Sequence, residues 1–419
     1  MPPTVDPAGL PRTDSRDAAA IAASFDLSAL ADDYYANPYP YYRALRDHAP
    51  VKAMPDGSFF LTRYRDIISV YRDPHVWSSD KKREFAPKYG ATPLYEHHTT
   101  SLVFNDPPLH TRVRRAIVGA LSQRHIAAME PGLVALVDGL LDHIAAKRNV
   151  DLIDAFAGAI PVEIIGNLLS VPRDEREPLR RWSLAILGAL EPVLTPERAA
   201  AGNRAVVEMS AYLRTLIDAR RAHPGDADTD VLTRLLEGDA DGERLTETEL
   251  VHQCIFLLNA GHETTTNLIG NALHALMQWP LERERLMRDP ALIEIAVEEF
   301  LRFDSSNQLG NRISTQPARV GDVDLPAGSR VTLCIGAANR DPEQFTDPDT
   351  LDIARTPNRH LAFGFGIHTC AGLNLARLEG RVAIGRFLAR FPDYALDGPP
   401  TRGGRARFRG FLALPITVG

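Results

Sequence analysis

The stretch Phe363-Gly364-Phe365-Gly366-Ile367-His368-Thr369-Cys370-Ala371-Gly372 decides how the rest of the chain is read. One cysteine stands among three glycines, and a helical pattern (Leu375, Leu378, Val382) starts directly after it. Glycines allow tight turns and close approach of the backbone to a flat group. Backbone N–H donors and a helix N-terminus favour a thiolate even where burial disfavours it. The loop therefore suits a buried thiolate that ligates a metal. A structural cysteine in a glycine-rich loop is the plain alternative. Zinc is disfavoured, because no second cysteine lies at a short spacing.

Outward from this loop, other segments carry their own signals. Thr246-Glu247-Thr248-Glu249 has the capping-box pattern and predicts a long helix over 247–278 that stops before Pro280. Within it lies Ala260-Gly261-His262-Glu263-Thr264-Thr265. Glu299 and Arg302 sit at i and i+3, on one helical face. Residues 309–340 alternate like strands around the turn at Pro326-Ala327-Gly328, and strands are expected again near 408–416. A short strand is predicted at 59–62 after the turn at Asp56-Gly57. From Pro108 to about Gln278 helical periodicity dominates. The reading is mainly α with a small β region drawn from both ends of the chain. Residues 1–25 read as a flexible arm, 26–419 as one domain, and 78–101 as a long loop.

Composition narrows the class. With 44% hydrophobic and 24% charged residues, the 419-residue chain has ample material for a large core. A net charge of −7 argues against general nucleic-acid binding. No apolar run is long enough for a membrane span, and the N-terminus lacks the apolar core of a signal peptide. Three cysteines, Cys254, Cys334 and Cys370, form no disulfide framework, which points to the cytoplasm.

The whole decapeptide fits F-G-x-G-x-H-x-C-x-G and so resembles the haem loop of the cytochrome P-450 family. The 260–265 segment resembles that family's oxygen-activation motif, and Glu299-Phe300-Leu301-Arg302 its E-x-x-R. Asn339-Arg340-Asp341-Pro342, with Phe345, Pro348 and Asp349, resembles the meander before the cysteine. Asp106-Pro107-Pro108, with His110 and Arg114, resembles the start of a haem-contacting helix. The segments run in the family's order from about residue 30 to the C-terminus, and soluble bacterial members are the nearest in pattern. The resemblance implies a triangular helical prism in which haem b lies between a long central helix and the cysteine loop.

It also implies roles. Cys370 would ligate the iron as thiolate, with Phe363 and Gly364 packed near the sulfur. Ala260 and Gly261 would face the haem. Thr264 would hold oxygen and an ordered water by hydrogen bonds, and Glu263 would relay protons from solvent. His110, Arg114, Arg312 and His368 would meet the haem propionates, since guanidinium forks suit carboxylates. Glu299, Arg302 and Arg355 would form a structural network. Ser306, Asn307 and Leu309 would line the substrate pocket. Ser305-Ser306-Asn307-Gln308 departs from the Pro and apolar residue common in relatives.

That polar run, and Lys81, Lys82, Arg83, Lys88, Tyr89 and Tyr95 in the 78–101 segment, read in two ways. Such charges usually face water. The sharper reading is a substrate with a carboxylate or several oxygens. The expected activity is monooxygenation of a small-to-medium organic substrate by a monomeric enzyme. Electrons would come from a ferredoxin and its reductase, with NAD(P)H involved only indirectly. Arg72, Arg124, Arg359 and Arg377 are the candidate ferredoxin-docking cations. A non-catalytic haem-thiolate sensor is the alternative, disfavoured by the acid–alcohol pair Glu263-Thr264. A peroxide-driven or isomerising relative is disfavoured on the same ground.

Overall fold

A capping box starts the element around which everything else packs. In the computed structural model, which describes residues 15–227, 230–238 and 244–419, the Glu249 N–H donates to Thr246 Oγ1 (3.2 Å). The Thr246 N–H donates in return to Glu249 Oε2 (2.8 Å). The helix this begins, Glu247–Gln278, is 32 residues long, hence about 48 Å. It is buried nearly all round rather than along one stripe, as a helix through the middle of a domain must be. Helices Ala159–Leu168, Glu177–Gly188 and Pro196–Ala222 pack against it. So do Ile293–Phe303 and Leu373–Arg390, the latter being the helix expected after Cys370.

The β portion is small and draws on both ends of the chain. One sheet has the order Val51–Ala53, Phe59–Leu61, Arg330–Cys334, Leu309–Ser314, Trp77–Ser78. Phe59–Leu61 runs parallel to Arg330–Cys334, which pairs antiparallel with Leu309–Ser314 in the register Gly310 to Leu333. A second sheet joins Asn149–Asp151, Pro415–Thr417 and Ala395–Leu396. Strands Thr401–Arg402 and Phe411–Ala413 pair antiparallel and hold residues 403–410 between them.

Two expectations need correction. The N-terminal arm is helical from Ser15 to Ser24, and Ala22 and Phe25 are buried in a cluster with Tyr34, Tyr42 and Phe60. Residues 1–14 lie outside the described residues. The 78–101 segment is two helices, Lys82–Tyr89 and Pro93–Thr100. Their periodicity is weak, but Phe85, Tyr89 and Leu94 are buried in the main core. Gly90 at φ +63° ends the first helix, and the Thr92 side chain caps the second. Burial of those three side chains outweighs the polar composition that suggests a loop.

Candidate active site

The cysteine loop folds as its glycines require. Gly364 (φ +66°) and Gly366 (φ +74°) occupy left-handed backbone, and a Cβ on Gly366 would lie 2.6 Å from the Tyr71 carbonyl oxygen. The Cys370 N–H donates to the Phe363 carbonyl (2.9 Å), and the Gly364 N–H to that of Leu361 (2.8 Å). Burial pushes the Cys370 thiol up, while the Gly372 N–H and the charges of Arg114 and Arg377 favour the thiolate. Helix Leu373–Arg390 starts immediately beyond.

Cys370 opens on a cavity of about 350 Å³ walled by the central helix, the segment 306–312 that leads into strand Leu309–Ser314, and the cysteine loop. Phe363, Gly364 and His368 line it from below. Ala260, Gly261 and Thr264 line it from the central helix, and Ser306, Asn307 and Leu309 from the side. Thr264 Oγ1 donates back to the Ala260 carbonyl (2.8 Å), and Ser306 Oγ donates to the Thr264 carbonyl (2.7 Å). Ser305, Ser306 and Gln308 are buried, so the polar run does not face water. Glu263 points elsewhere. One residue along a helix is about 100° around it, and the Glu263 carboxylate is buried against Arg405 (Nη1 to Oε2 3.0 Å). It meets no solvent directly, contrary to the expectation of a surface-fed acid.

Three basic residues far apart in sequence, Arg114, Arg312 and His368, line the cavity, and His110 lies behind them against His368. The His110 and His368 rings are 4.2 Å apart, and neither Nε2 has a hydrogen-bond partner. Burial, then Arg312, His110 and Arg114, pushes His368 down to about 2. Arg114 donates to the Thr369 carbonyl (2.7 Å), and Arg312 to that of Asn311 (2.7 Å). Six arginines among the described residues are buried, namely Arg46, Arg176, Arg302, Arg312, Arg340 and Arg409. Five reach a carboxylate within 4 Å; Arg312 does not. Orphaned imidazole nitrogens, the buried Arg312 guanidinium without a carboxylate and the half-buried Arg114 fit a flat group with two carboxylates of its own. A thiol on the same cavity fits that group's metal. These residues therefore fit haem b.

Glu299 and Arg302 are both fully buried. Arg302 donates from Nε and Nη2 to the Glu299 carboxylate (2.7 and 2.8 Å). It also donates to the carbonyls of Asn339 (2.8 Å), Pro348 (2.8 Å) and Thr350 (3.2 Å). Arg355 Nε donates to Glu299 at 3.2 Å, and the Asp352 N–H and Asn358 amide donate to it at 3.0 Å.

Several predicted contacts are not made. Lys81 is buried in an ion pair with Glu84, Lys88 donates to the Glu191 carbonyl and Tyr89 to that of Ala189. Lys82 and Arg83 are exposed. None of these five lines the cavity; His97 and His98 of the same segment do. Arg377 is held by a two-pronged bond to Glu298 (2.7 and 2.8 Å), so its charge is compensated, whereas Arg72, Arg124 and Arg359 are exposed.

Sequence reasoning missed four residues. Arg405 holds Glu263, Arg407 lines the cavity, and the Tyr71 ring lies beneath Arg312 (5.1 Å). Glu379 is a buried carboxyl on the cavity wall, pushed up to about 8 by burial. The run Arg405-Ala406-Arg407-Phe408-Arg409 was the one available signal: alternating arginines are out of place in a C-terminal strand region unless they have buried partners.

Comparison with known proteins agrees with this geometry. The cytochrome P-450 family profile matches residues 184–394. Vitamin D(3) 25-hydroxylase of Pseudonocardia autotrophica is 39% identical over 92% of this chain and 95% of its own. Cytochrome P-450 107B1 of Saccharopolyspora erythraea is 37% identical over 94% and 98%. Among solved structures, P-450 BioI, crystallised with an acyl carrier protein ligated to hexadec-9Z-enoic acid, superposes with a TM-score of 0.87. It is 33% identical and the match covers 93% of this chain and 100% of that one. The thiol loop, the basic residues gathered beside it and relatives matched over nearly their full length lead to one assignment: the chain belongs to the cytochrome P-450 family and is a haem-b monooxygenase.

Proposed function

We propose that this enzyme oxygenates a small-to-medium apolar or oxygenated organic molecule, with electrons supplied by a separate ferredoxin and its reductase. The observation that carries the reading is one cavity that joins the Cys370 thiol, the Thr264 segment and an apolar roof. Cys370 would hold the haem iron, and Arg114, Arg312, His110 and His368 its propionates. The bound haem supplies the oxidising chemistry, which a thiolate ligand favours.

The remaining work falls to side chains. Thr264 keeps its hydroxyl at the cavity wall through its bond to Ala260, where Oγ1 can accept a proton-bearing water and pass the proton on. Glu263 is the nearest carboxylate along the helix, but Arg405 grips it. To carry a proton it must loosen that pair and turn toward Thr264. Leu168, Leu187, Phe256 and Leu257 exclude bulk water from the cavity. The Glu299–Arg302–Arg355 network holds the meander and hence the cysteine loop.

Residues from Ser15 onward serve as one haem-binding unit; among the described residues no group of three or more His, Cys, Asp or Glu side chains could hold a further metal ion. The three cysteines form no disulfide, which suits a reducing compartment, and we place the protein in the bacterial cytoplasm as a monomer. Among the described residues no helix is long and apolar enough to cross a membrane. Arg72, Arg124 and Arg359 form the docking cations for an acidic ferredoxin.

The reading is tested by reconstituted turnover with ferredoxin and reductase, on ligands found by the high-spin shift of the ferric absorption band. Turnover should require the ferredoxin and weaken with salt, since screening shortens to about 8 Å at physiological ionic strength. Reversing the charge of Arg72, Arg124 or Arg359 should lower the rate at limiting ferredoxin. Turnover with the nicotinamide cofactor alone, or rates indifferent to salt, would overturn the partner assignment.

A further inference from the structure

The cavity wall carries one charged group that neither the haem nor the proton path uses. Arg407 lies in the 403–410 segment and opens on the cavity. Its Nε donates to the Leu190 carbonyl (3.2 Å) and its Nη1 to that of Leu309 (2.8 Å), while Nη2 donates to Asn311 Oδ1. The guanidinium is thus fixed between two walls of the cavity, Leu190 beyond helix Glu177–Gly188 and the strand Leu309–Ser314. A guanidinium has five N–H donors. Three are used, and the two left over sit one on each terminal nitrogen. Unspent guanidinium N–H groups on a cavity wall suit a carboxylate, whose charge strengthens the hydrogen bonds it accepts.

Among the described residues no carboxylate fills this role. Its neighbours along the chain show the contrast: Arg405 pairs with Glu263, and Arg409 pairs with Asp304 (2.7 Å). Glu191 is the nearest candidate for Arg407, but its oxygens accept from the backbone N–H groups of Ala406 (2.8 Å) and Arg407 (3.3 Å). Glu84 is taken by Lys81. Lys88 adds a second cation beside Arg407, with its ammonium donating to a backbone carbonyl. Burial first, and then Arg407, pushes Lys88 down to about 8. Setting Lys81 against Glu84, and Lys88 with Arg407 against Glu191, leaves one positive charge in excess. A buried charge without a partner is costly, so such sites are built where a partner arrives from outside. The rest of this wall is apolar or neutral: Leu187, Leu190, Leu309, Phe408, Asn311 and the imidazole of His98.

We infer that Arg407 is a substrate-recognition residue and that the substrate is an apolar molecule ending in a carboxylate, which Arg407 grips through its unspent N–H groups. This rests on the reading of the cavity as the substrate site of a haem enzyme. It narrows that reading to one class, monocarboxylic acids with an apolar body. Arg407 is then the handle, and the apolar body is the part presented to Thr264.

The test uses the haem-loaded full-length protein. Dodecanoic, hexadecanoic and abietic acids, each beside its methyl ester, are titrated while the ferric absorption band is followed. At least one acid should bind roughly tenfold or more tighter than its ester, since a hydrogen-bonded charge is worth about 1.5–3 kcal/mol. Arg407→Gln should bring the acid-to-ester affinity ratio close to one, a ratio in which any change of the walls common to both ligands cancels. Arg407→Lys should restore part of it, because an ammonium keeps the charge and loses the fork. Equal binding of every acid and its ester, or an acid preference that survives Arg407→Gln, overturns the inference. The carbon-monoxide spectrum of the reduced protein separates the two levels. Without the red-shifted thiolate band the haem reading itself falls; with the band and no acid preference, only this inference falls.

Discussion

Removing the guanidinium of Arg302 should cost the protein its haem before it costs anything else. Arg302 spends all five N–H donors, two on Glu299 and three on the carbonyls of Asn339, Pro348 and Thr350. Arg302→Ala leaves a buried carboxylate with Arg355 as its one remaining guanidinium partner. Breaking such a pair costs roughly 3–5 kcal/mol. The Asn339 and Pro348 carbonyls also lose this donor, at about 1–3 kcal/mol each where water cannot enter, while the Thr350 carbonyl keeps Arg355 (3.2 Å). Against a net stability of roughly 5–15 kcal/mol this is enough to unfold the region. The damage has a defined route. Asn339, whose carbonyl Arg302 holds, accepts the Leu361 N–H on its side chain (2.7 Å). The Leu361 carbonyl accepts from Gly364, and the Phe363 carbonyl from Cys370. Arg302→Lys should fail nearly as badly, because three donors cannot replace five. The assay is haem content per chain together with urea unfolding followed by circular dichroism. Arg319→Ala serves as control: its pair with Asp324 is exposed and should be worth less than about 1 kcal/mol. An Arg302→Ala protein with full haem content and an unfolding midpoint like that of Arg319→Ala would refute the reasoning.

Cys370→Ala should abolish the far-red-shifted Soret band of the reduced, carbon-monoxide-treated protein, and a normal band in the variant would remove Cys370 as the ligand. Thr264→Ala should keep electron consumption and send several-fold more of it to hydrogen peroxide. Glu263→Gln should alter the solvent isotope effect, and a relay role fails if both variants couple as wild type does. Stability should fall as pH drops below about 6.5, because buried His262 and His274 are pushed down to about 3 and about 4, mainly by burial. Between about pH 4 and 6.5 the unfolded chain binds protons that the folded chain refuses. Each histidine then removes about 1.4 kcal/mol per pH unit as pH falls, and His274→Asn should lessen that slope in urea unfolding by one proton.

The parts legible in the sequence were those where local chemistry and tertiary role coincide. The capping box at Thr246 starts a helix wherever it occurs, so the central helix could be placed to the residue. The cysteine loop was legible because several positions are each constrained for a separate reason: glycines by φ and close approach, the cysteine by its thiolate, the histidine by the cavity beside it. Glu299 and Arg302 could be paired from their spacing, although spacing alone could not show that both are buried. Failures came where tertiary burial overrode local pattern. Lys81 and Lys88 look like solvated charges and prove to be buried or half-buried, Lys88 tied down by Glu191, distant in sequence, and Lys81 by Glu84 of the helix it precedes. The 78–101 segment lacks helical periodicity because its apolar residues face several neighbours at once.

The C-terminal arginines show the limit most clearly. In an extended segment, residues 405, 407 and 409 alternate in register, and nothing local distinguishes them. The fold separates them by what lies opposite: Glu263 of the central helix, the open cavity, and Asp304 at the end of Ile293–Phe303. Glu263 is 142 positions away from Arg405, and Asp304 is 105 from Arg409. A pairing over such distances is invisible to any reading of spacing. Function then follows from the pairing that is absent. The outer two arginines pair with carboxylates of the protein, and the middle one, held by Leu190, Leu309 and Asn311, opens on the cavity with two donors unspent.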